Sequence, residues 1–496
     1  MQADEAEPNL NTSLGYRKLP EFFYHDVESP GVTNAGIVAL NIPLASSLCL
    51  TGDWLRSDGG LDILSGQTSL GGGKALAMAY GGHQFGSWSG LLGDGRARLV
   101  GDLPDKNGLY HELHLKGAGK TPFSRRGDGK ATLGSAIREY VVSEAMAALG
   151  VPTTRALSII TTGETIIRNG PEPGAIICRT GRSHIRVGTF QIAAASGKTE
   201  NVQALADFAI ERLYPGAPES GPKRYSYFLR RVIAAQAGLV AKWMGLGFIH
   251  GVMNTDNAAI SGETIDYGPC AFMDDFHPGK VFSSIDRNGR YAWNRQPEIA
   301  HWNMARLAES LLPLLGDTED AQLAVAQADL DSFTDRFSSS FHTVMARKFG
   351  LSPQTIESSG FLPKTIKAMT SGGVDFTMFF RELTRIAKGA EDRSFVNLFN
   401  VPEHGTEWLE LWRSDLHISG GLDDTRIALM EKANPVIIPR NHRVEDAISD
   451  ANAGNFETFE TLMEAVTKPF EDRPGFARFE RPPAPDEIVH QTFCGT

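Results

Sequence analysis

Cysteine is scarce. Four residues in a chain of 496 (Cys49, Cys178, Cys270 and Cys494) stand far apart and form no C-x-x-C pair, which excludes a disulfide framework and any obvious zinc site. Long apolar runs are also missing. No stretch of 18 apolar residues exists, and the most apolar helical segment, Val232 to Ile249, is broken by Gln236 and Lys242, which argues against a transmembrane helix. The opening residues, MQADEAEPNLNTSLGYRK, have no apolar centre and read as neither signal nor transit peptide. Positive charge is not in excess: 48 Lys and Arg against 59 Asp and Glu give a net charge of −11, where a nucleic-acid binder needs a basic face. Repeats and low-complexity tracts are absent too. What remains, 41% hydrophobic and 22% charged residues, is the profile of a globular protein. The length implies two or three subdomains. A cytoplasmic enzyme acting on neither nucleic acid nor membrane is the expected class.

The chain then divides by composition. Thirteen glycines between Gly52 and Gly95 predict tight turns rather than helix. Arg96 to Leu103 and Leu109 to Lys116 read as two strands around Pro104-Asp105-Lys106-Asn107-Gly108, a hairpin signalled by Asn-Gly. Leu113 and Leu115 alternate with His114 and Lys116, so Lys116 faces away from the leucines. Thr132 to Leu149 reads as a helix stopped by Gly150 and Pro152, and "ALSIITTGETIIR" and "GAIICRTGRSHIRVGTF" read as a second β-rich block. Beyond residue 195 the pattern turns helical, interrupted by an island of short strands and turns, "FIHGVMNTDNAAISGETIDYGPCAFMDDF", whose centre, "NTDNAAISGETIDYG", reads as a hairpin carrying acids. The expected fold is α+β and protein-kinase-like: an N-terminal extension (1–60), a β-rich N-lobe (61–195), a helical C-lobe with the acidic hairpin (196–345) and a mostly helical C-terminal region (346–496).

The stretch "LHLKGAGKTPFSRRGDGKA" raises the question of a phosphate loop. A Walker A loop needs G-x-x-x-x-G-K-[ST]. Gly119-Lys120-Thr121 supplies its end, but His114 occupies the first glycine position and Pro122 follows where a helix should open, so the match fails. Lys116 is a second candidate: it ends a strand ahead of a helix bearing Glu139 and Glu144, and a helix glutamate can hold such a lysine toward phosphate; an exposed strand lysine with two surface acids is the competing reading. Spacing does not choose between the two glutamates. Asp256-Asn257 and Asp266-Tyr267-Gly268 stand at the feet of the predicted hairpin, where an amide and a carboxylate oxygen can share a hard cation; turn chemistry is the competing explanation. Arg179, Arg182 and Arg186 can clamp phosphates or form a solvated basic turn. Gly93-Asp94-Gly95-Arg96 is a weak glycine-loop signal, and His83 in "YGGHQFG" reads more readily as structural than catalytic.

Together "YGGHQFG", "GDGRA", "LKGAGKTPFSRRGDGKA", "FIHGVMNTDN", "IDYGP" and "NPVIIPRNH" resemble the selenoprotein O (SelO, or YdiU) family from about Tyr80 to the C-terminus. The resemblance implies a protein-kinase-like fold and transfer of AMP, in some members UMP, to hydroxyl side chains of proteins, with the nucleotide inverted relative to kinases. It implies ATP or UTP as co-substrate and Mg²⁺ or Mn²⁺ as cofactor. Carried over by motif, it assigns Gly93, Gly95, Arg96, Asp128 and Gly129 to the nucleotide, Lys116 to phosphate with Glu139 as its ion-pair partner, and Arg179 and Arg186 to the inverted phosphates. Asn257 and Asp266 become metal ligands, with Asp266 also contacting the nucleotide, and Asp256 the general base. Asp256 abuts Asn257, whereas kinases separate base and asparagine by several residues. The resemblance leans toward a monomer.

Two alternatives stand beside protein adenylylation: a protein kinase transferring the γ-phosphoryl group, and an inert nucleotide-binding scaffold. The intact Lys116 and metal-ligand candidates speak against the scaffold, and only the resemblance separates the two enzymes. The family also implies a pairing of a cysteine near the C-terminus, here Cys494, with one in the loop after the metal ligand, here Cys270. Cys270 lies earlier in that loop than the family pattern, with Ser283 and Ser284 later, so two free thiols are the competing expectation.

Overall fold

The computed structural model describes residues 14–493 apart from 33 and 169. It is a mixed α and β architecture. One half is built on an eight-stranded antiparallel sheet and the other on helices. In chain order the strands are β1 (Tyr24–Val27), β2 (Gly36–Leu40), β3 (Ala75–Met78), β4 (Gly81–Gln84), β5 (Ser87–Leu91), β6 (Ala97–Pro104), β7 (Tyr110–Lys116), β8 (Ala131–Thr132), β9 (Arg155–Ile167), β10 (Pro171–Gly181), β11 (Phe248–Ile249) and β12 (Ala271–Phe272). The main sheet runs β1-β3-β6-β7-β10-β9-β2, with β8 on β10, while β4–β5 and β11–β12 form separate pairs.

The Asn-Gly hairpin is present as β6–β7. Asp105 Oδ1 accepts the Asn107 and Leu109 amides at 2.8 and 2.9 Å, and Gly108 takes φ +79°. That side-chain turn fixes the register that sets Lys116 opposite Ala97 and Ile177. Leu113 and Leu115 bury against Val100, Ile160, Ile176 and Cys178 under the short helices Ile42–Ser47 and Asp58–Leu64. The opposite face takes helix Leu133–Ala148, capped by the Thr132 hydroxyl. That helix is covered in turn by helices Asn441–Asn452 and Glu457–Val466 through Ile137, Val141, Val444 and Leu462. The helical half is organised by Pro222–Gly245 packed along the 31-residue helix Glu319–Phe349.

Three local expectations change. The glycine-rich stretch contains helix: Gly52, Gly59 and Gly60 lie in Gly52–Arg56 and Asp58–Leu64, because Thr51 and Ser57 cap them and a Cβ on Gly60 would stand 2.2 Å from the Trp54 carbonyl oxygen. The strand read through "GAIICRTGRSHIRVGTF" ends at Gly181, and a helix starts at Val187. The ends of the acidic island pair as β11–β12, but its inner stretch, residues 254–268, is not a hairpin. Its Ser261-Gly262 turn exists, closed by the Gly262 amide on the Ala259 carbonyl, but its arms do not pair with each other: Ala259 bridges to Arg186 and Thr264 to Thr153.

Near the end of the described chain Thr492 bridges to Ser283, and its hydroxyl donates to the Pro269 carbonyl over 2.6 Å. Cys270 is buried with a free thiol, pushed up to about 12 by burial; Cys494 lies outside the described residues. Among the described residues no helix is long and apolar enough to cross a membrane.

Candidate active site

Lys116 closes β7 and turns toward helix Leu133–Ala148. Glu139 on that helix binds its ammonium directly, and Asp266 Oδ1 accepts from it over 2.9 Å. Glu144, the other candidate, is engaged elsewhere: it takes a two-pronged bond from Arg155 at 2.9 and 2.6 Å and the Ala156 amide at 2.8 Å. One turn and a half along the helix separates the two glutamates, so only one of them reaches the lysine.

Asp266 has φ +66°, a left-handed conformation that aspartate tolerates better than most side chains. Burial works against its ionisation, but Lys116, Arg179 and Arg96 outweigh it and hold the carboxyl well below the usual carboxylate range. Asp256 and Asn257 lie in the 3₁₀ turn Thr255–Asn257. Gln84 on β4 donates to Asp256 Oδ2 over 3.2 Å, while Asp256 Oδ1 is buried without a hydrogen-bond partner. Burial raises this carboxyl, against Gln84 and Arg186.

A cavity of about 100 Å³ gathers most of the predicted residues: Gly95, Arg96, Lys116, Arg179, Arg186, Asp256, Asn257 and Asp266 all line it. It shares Tyr80, Gly95 and Arg96 with a larger cleft of about 1010 Å³. Asp128 and Gly129 line that cleft instead, where Arg168 grips Asp128 through two bonds of 2.9 and 3.0 Å. Gly93 lines neither cavity: it sits under the Phe123 ring at φ +71°, and a Cβ there would stand 2.2 Å from the ring. Arg182 also stays outside the small cavity. Its amide binds Glu263 and its guanidinium the Arg212 carbonyl. Lys120 is exposed.

Sequence reasoning missed Tyr80, Gln84, His114, Arg168 and the role of Asp94. Asp94 is buried between the two glycines of the weak loop motif and meets Arg186 Nη1 at 3.4 Å. The Arg186 guanidinium stacks 4.1 Å over the Tyr80 ring. His83, read as structural, bonds Gln191 at 2.8 Å and packs against Trp88 and Trp302. The one available signal was position: Asp94 stood inside a quoted motif, and His114 shares the face of Lys116.

The set can hold an anion and a hard cation together. Asn257 donates its amide N–H to the Val252 carbonyl over 3.0 Å, so its oxygen is the atom it can offer the cavity. With the ionised Asp266 this makes a pair of oxygen donors of the kind that Mg²⁺ or Mn²⁺ takes. Lys116, Arg179 and Arg186 bring positive charge to the same cavity, the charge that an anionic group takes.

Residues 8–467 match the family described as Protein adenylyltransferase SelO. Three similar relatives each bear the description Protein nucleotidyltransferase YdiU. The protein from Nitrobacter winogradskyi is 47% identical over 495 residues, 100% of this chain and 98% of the relative. That from Rhodopseudomonas palustris strain BisB18 is 48% identical over 482 residues, 97% and 98%. That from Rhizobium etli is 47% identical over 483 residues, 97% and 96%. With the match running through every residue of the cavity, the chain belongs to the Protein adenylyltransferase SelO family of enzymes.

Proposed function

We propose that this enzyme transfers AMP, with UMP as the second nucleotide to test, from the triphosphate to Ser, Thr or Tyr hydroxyls of other proteins. The observation that carries the reading is the convergence of Lys116, Arg179 and Arg186 with Asp256, Asn257 and Asp266 on one small cavity. The sheet half and the helical half meet there, which supports a protein-kinase-like bilobal reading of the fold.

In this reading the three cations bind and orient the triphosphate. The acceptor oxygen forms a bond to the α-phosphorus, the bond from that phosphorus to its bridging oxygen breaks, and pyrophosphate leaves. Asp256, whose Oδ1 has no other partner, takes the hydroxyl proton, and Gln84 holds its other oxygen in place. Asn257 and Asp266 would hold Mg²⁺ or Mn²⁺, which supplies charge neutralisation on the phosphates. Catalysis of this kind rests on positioning and electrostatics rather than on covalent chemistry by the protein.

Incubation with α-labelled and, separately, γ-labelled ATP tests the reading. Protein labelled from the α position only is expected. Label from the γ position alone makes the enzyme a kinase, and no label from either, nor from α-labelled UTP, makes it a binding scaffold.

A further inference from the structure

Seven side chains, five of them lining the small cavity, form one polar chain. Arg186 Nη1 lies 3.4 Å from Asp94 Oδ1, and Asp94 Oδ2 lies 2.9 Å from His114 Nε2. Arg179 Nε donates to His114 Nδ1 over 3.2 Å, and Arg179 Nη1 lies 3.8 Å from Glu139 Oε2. Glu139 binds Lys116, and Lys116 reaches Asp266. Cations and anions alternate along it except at His114, the one link that must both give and accept a hydrogen bond.

The partners fix which nitrogen does which. A guanidinium only donates, so Nδ1 of His114 is the acceptor; Nε2 then carries the proton and gives it to Asp94. Protonation of the ring would remove the acceptor and set a cation against Arg179. The site prevents this. His114 is fully buried in the middle of β7, opposite Leu99 and Arg179 in the two neighbouring strands. Its ring stacks at 4.4 Å on His184, which is tied to Glu112 at 2.8 Å. Burial, against the pull of Asp94 and with His184 and Arg179 beside it, pushes the imidazole down to about 3. Arg179 Nη1 is buried with no hydrogen-bond partner, a donor kept in reserve on a guanidinium whose orientation is set from its Nε side.

We infer that His114 is a positioning residue for nucleotidyl transfer: it sets the Arg179 guanidinium directly and the Arg186 guanidinium through Asp94, so that the two cations meet the triphosphate as one rigid unit. The inference rests on the reading above, in which Arg179 and Arg186 face the phosphates.

The test compares affinity for ATP and for adenosine in the full-length protein. His114→Leu fills the space with no polar atom. His114→Gln restores one donor and one acceptor, and His114→Asn has the same amide but a shorter reach. Expected is a loss of ATP affinity of about tenfold or more in His114→Leu and His114→Asn, the equivalent of roughly 1.4 kcal/mol, with adenosine affinity within about twofold and substantial recovery in His114→Gln. Should His114→Leu not fold, the comparison of Asn with Gln stands alone. Equal weakening of ATP and adenosine, or no recovery in Gln, overturns the inference. Arg179→Ala separates the two levels. Unchanged ATP affinity in Arg179→Ala refutes the phosphate-facing reading itself, whereas a loss there without one in His114→Leu and His114→Asn refutes only the positioning role.

Discussion

Asp266 accepts a 2.9 Å hydrogen bond from Lys116 while its own backbone stands at φ +66°. The charge and the conformation can be tested apart. Asparagine tolerates the left-handed region as aspartate does, whereas alanine pays about 1–2 kcal/mol for it. Asp266→Asn is expected to lower transfer by about 100-fold or more, on the scale of losing one preorganised electrostatic contact, and to melt earlier through loss of the Lys116 ion pair alone. Asp266→Ala is expected to lose activity equally and to melt earlier still, by the added backbone cost. Activity assays and thermal unfolding of the pair check this; near-native transfer in Asp266→Asn refutes an anionic role.

Lys116 and Lys120 separate the kinase-like reading from a phosphate loop. Lys116 is buried between Glu139 and Asp266, whereas Lys120 is exposed. Lys116→Met should abolish transfer, and Lys120→Met should change kcat/KM by no more than about threefold, under 1 kcal/mol. Steady-state kinetics of both decide, and the reverse order revives the phosphate loop.

Glu263 sits on the turn between Asp256 and Asp266. Burial pushes its carboxyl up to about 7, against Ser261 and the Arg182 amide. The unfolded chain ionises near pH 4.5 and the folded one later, so the folded state holds the extra proton between those values. Stability therefore falls as pH rises through that window and stays reduced above pH 7. Glu263→Gln should raise stability at pH 8 by up to roughly 2–3 kcal/mol and leave it almost unchanged at pH 4. Urea unfolding at the two pH values measures it, and equal effects at both sink the assignment.

Acid should act through His114 in the opposite sense. The unfolded imidazole takes up a proton near pH 6.5, but the folded one resists until about 3. The unfolded state binds more protons in between, so stability drops as pH falls from about 6.5 to 3. His114→Gln should flatten that slope in chemical unfolding followed from pH 7 to 4. A wild-type slope in the variant would assign the acid sensitivity to other groups.

The β6–β7 hairpin was legible because its information is local: Asp105, Asn107 and Gly108 make the turn by themselves. Lys116 followed from alternation along β7. The acidic island misled for the same reason inverted. Its two arms looked like neighbours that pair, but Ala259 and Thr264 take distant partners, Arg186 and Thr153, and local pattern cannot say which edge a short strand will choose. The Arg186–Asp94–His114–Arg179 links join residues as many as 92 positions apart, invisible to spacing. Gly93 shows another limit. A glycine in a loop motif reads as room for a ligand, yet here it makes room for Phe123.

The helix that carries Glu139 is buried by segments made about 300 residues later, Asn441–Asn452 and Glu457–Val466. At ribosomal speeds of about 5–20 residues per second, roughly 15 to 60 s pass between its synthesis and that of its cover. During that interval the apolar side of the helix, including Ile137 and Val141, waits exposed or in the care of a chaperone. The helix that holds the lysine's partner thus gains its cover only after Val466 has been made. A nonsense mutation between the helix and Asn441 is expected to leave Ile137 and Val141 without this cover.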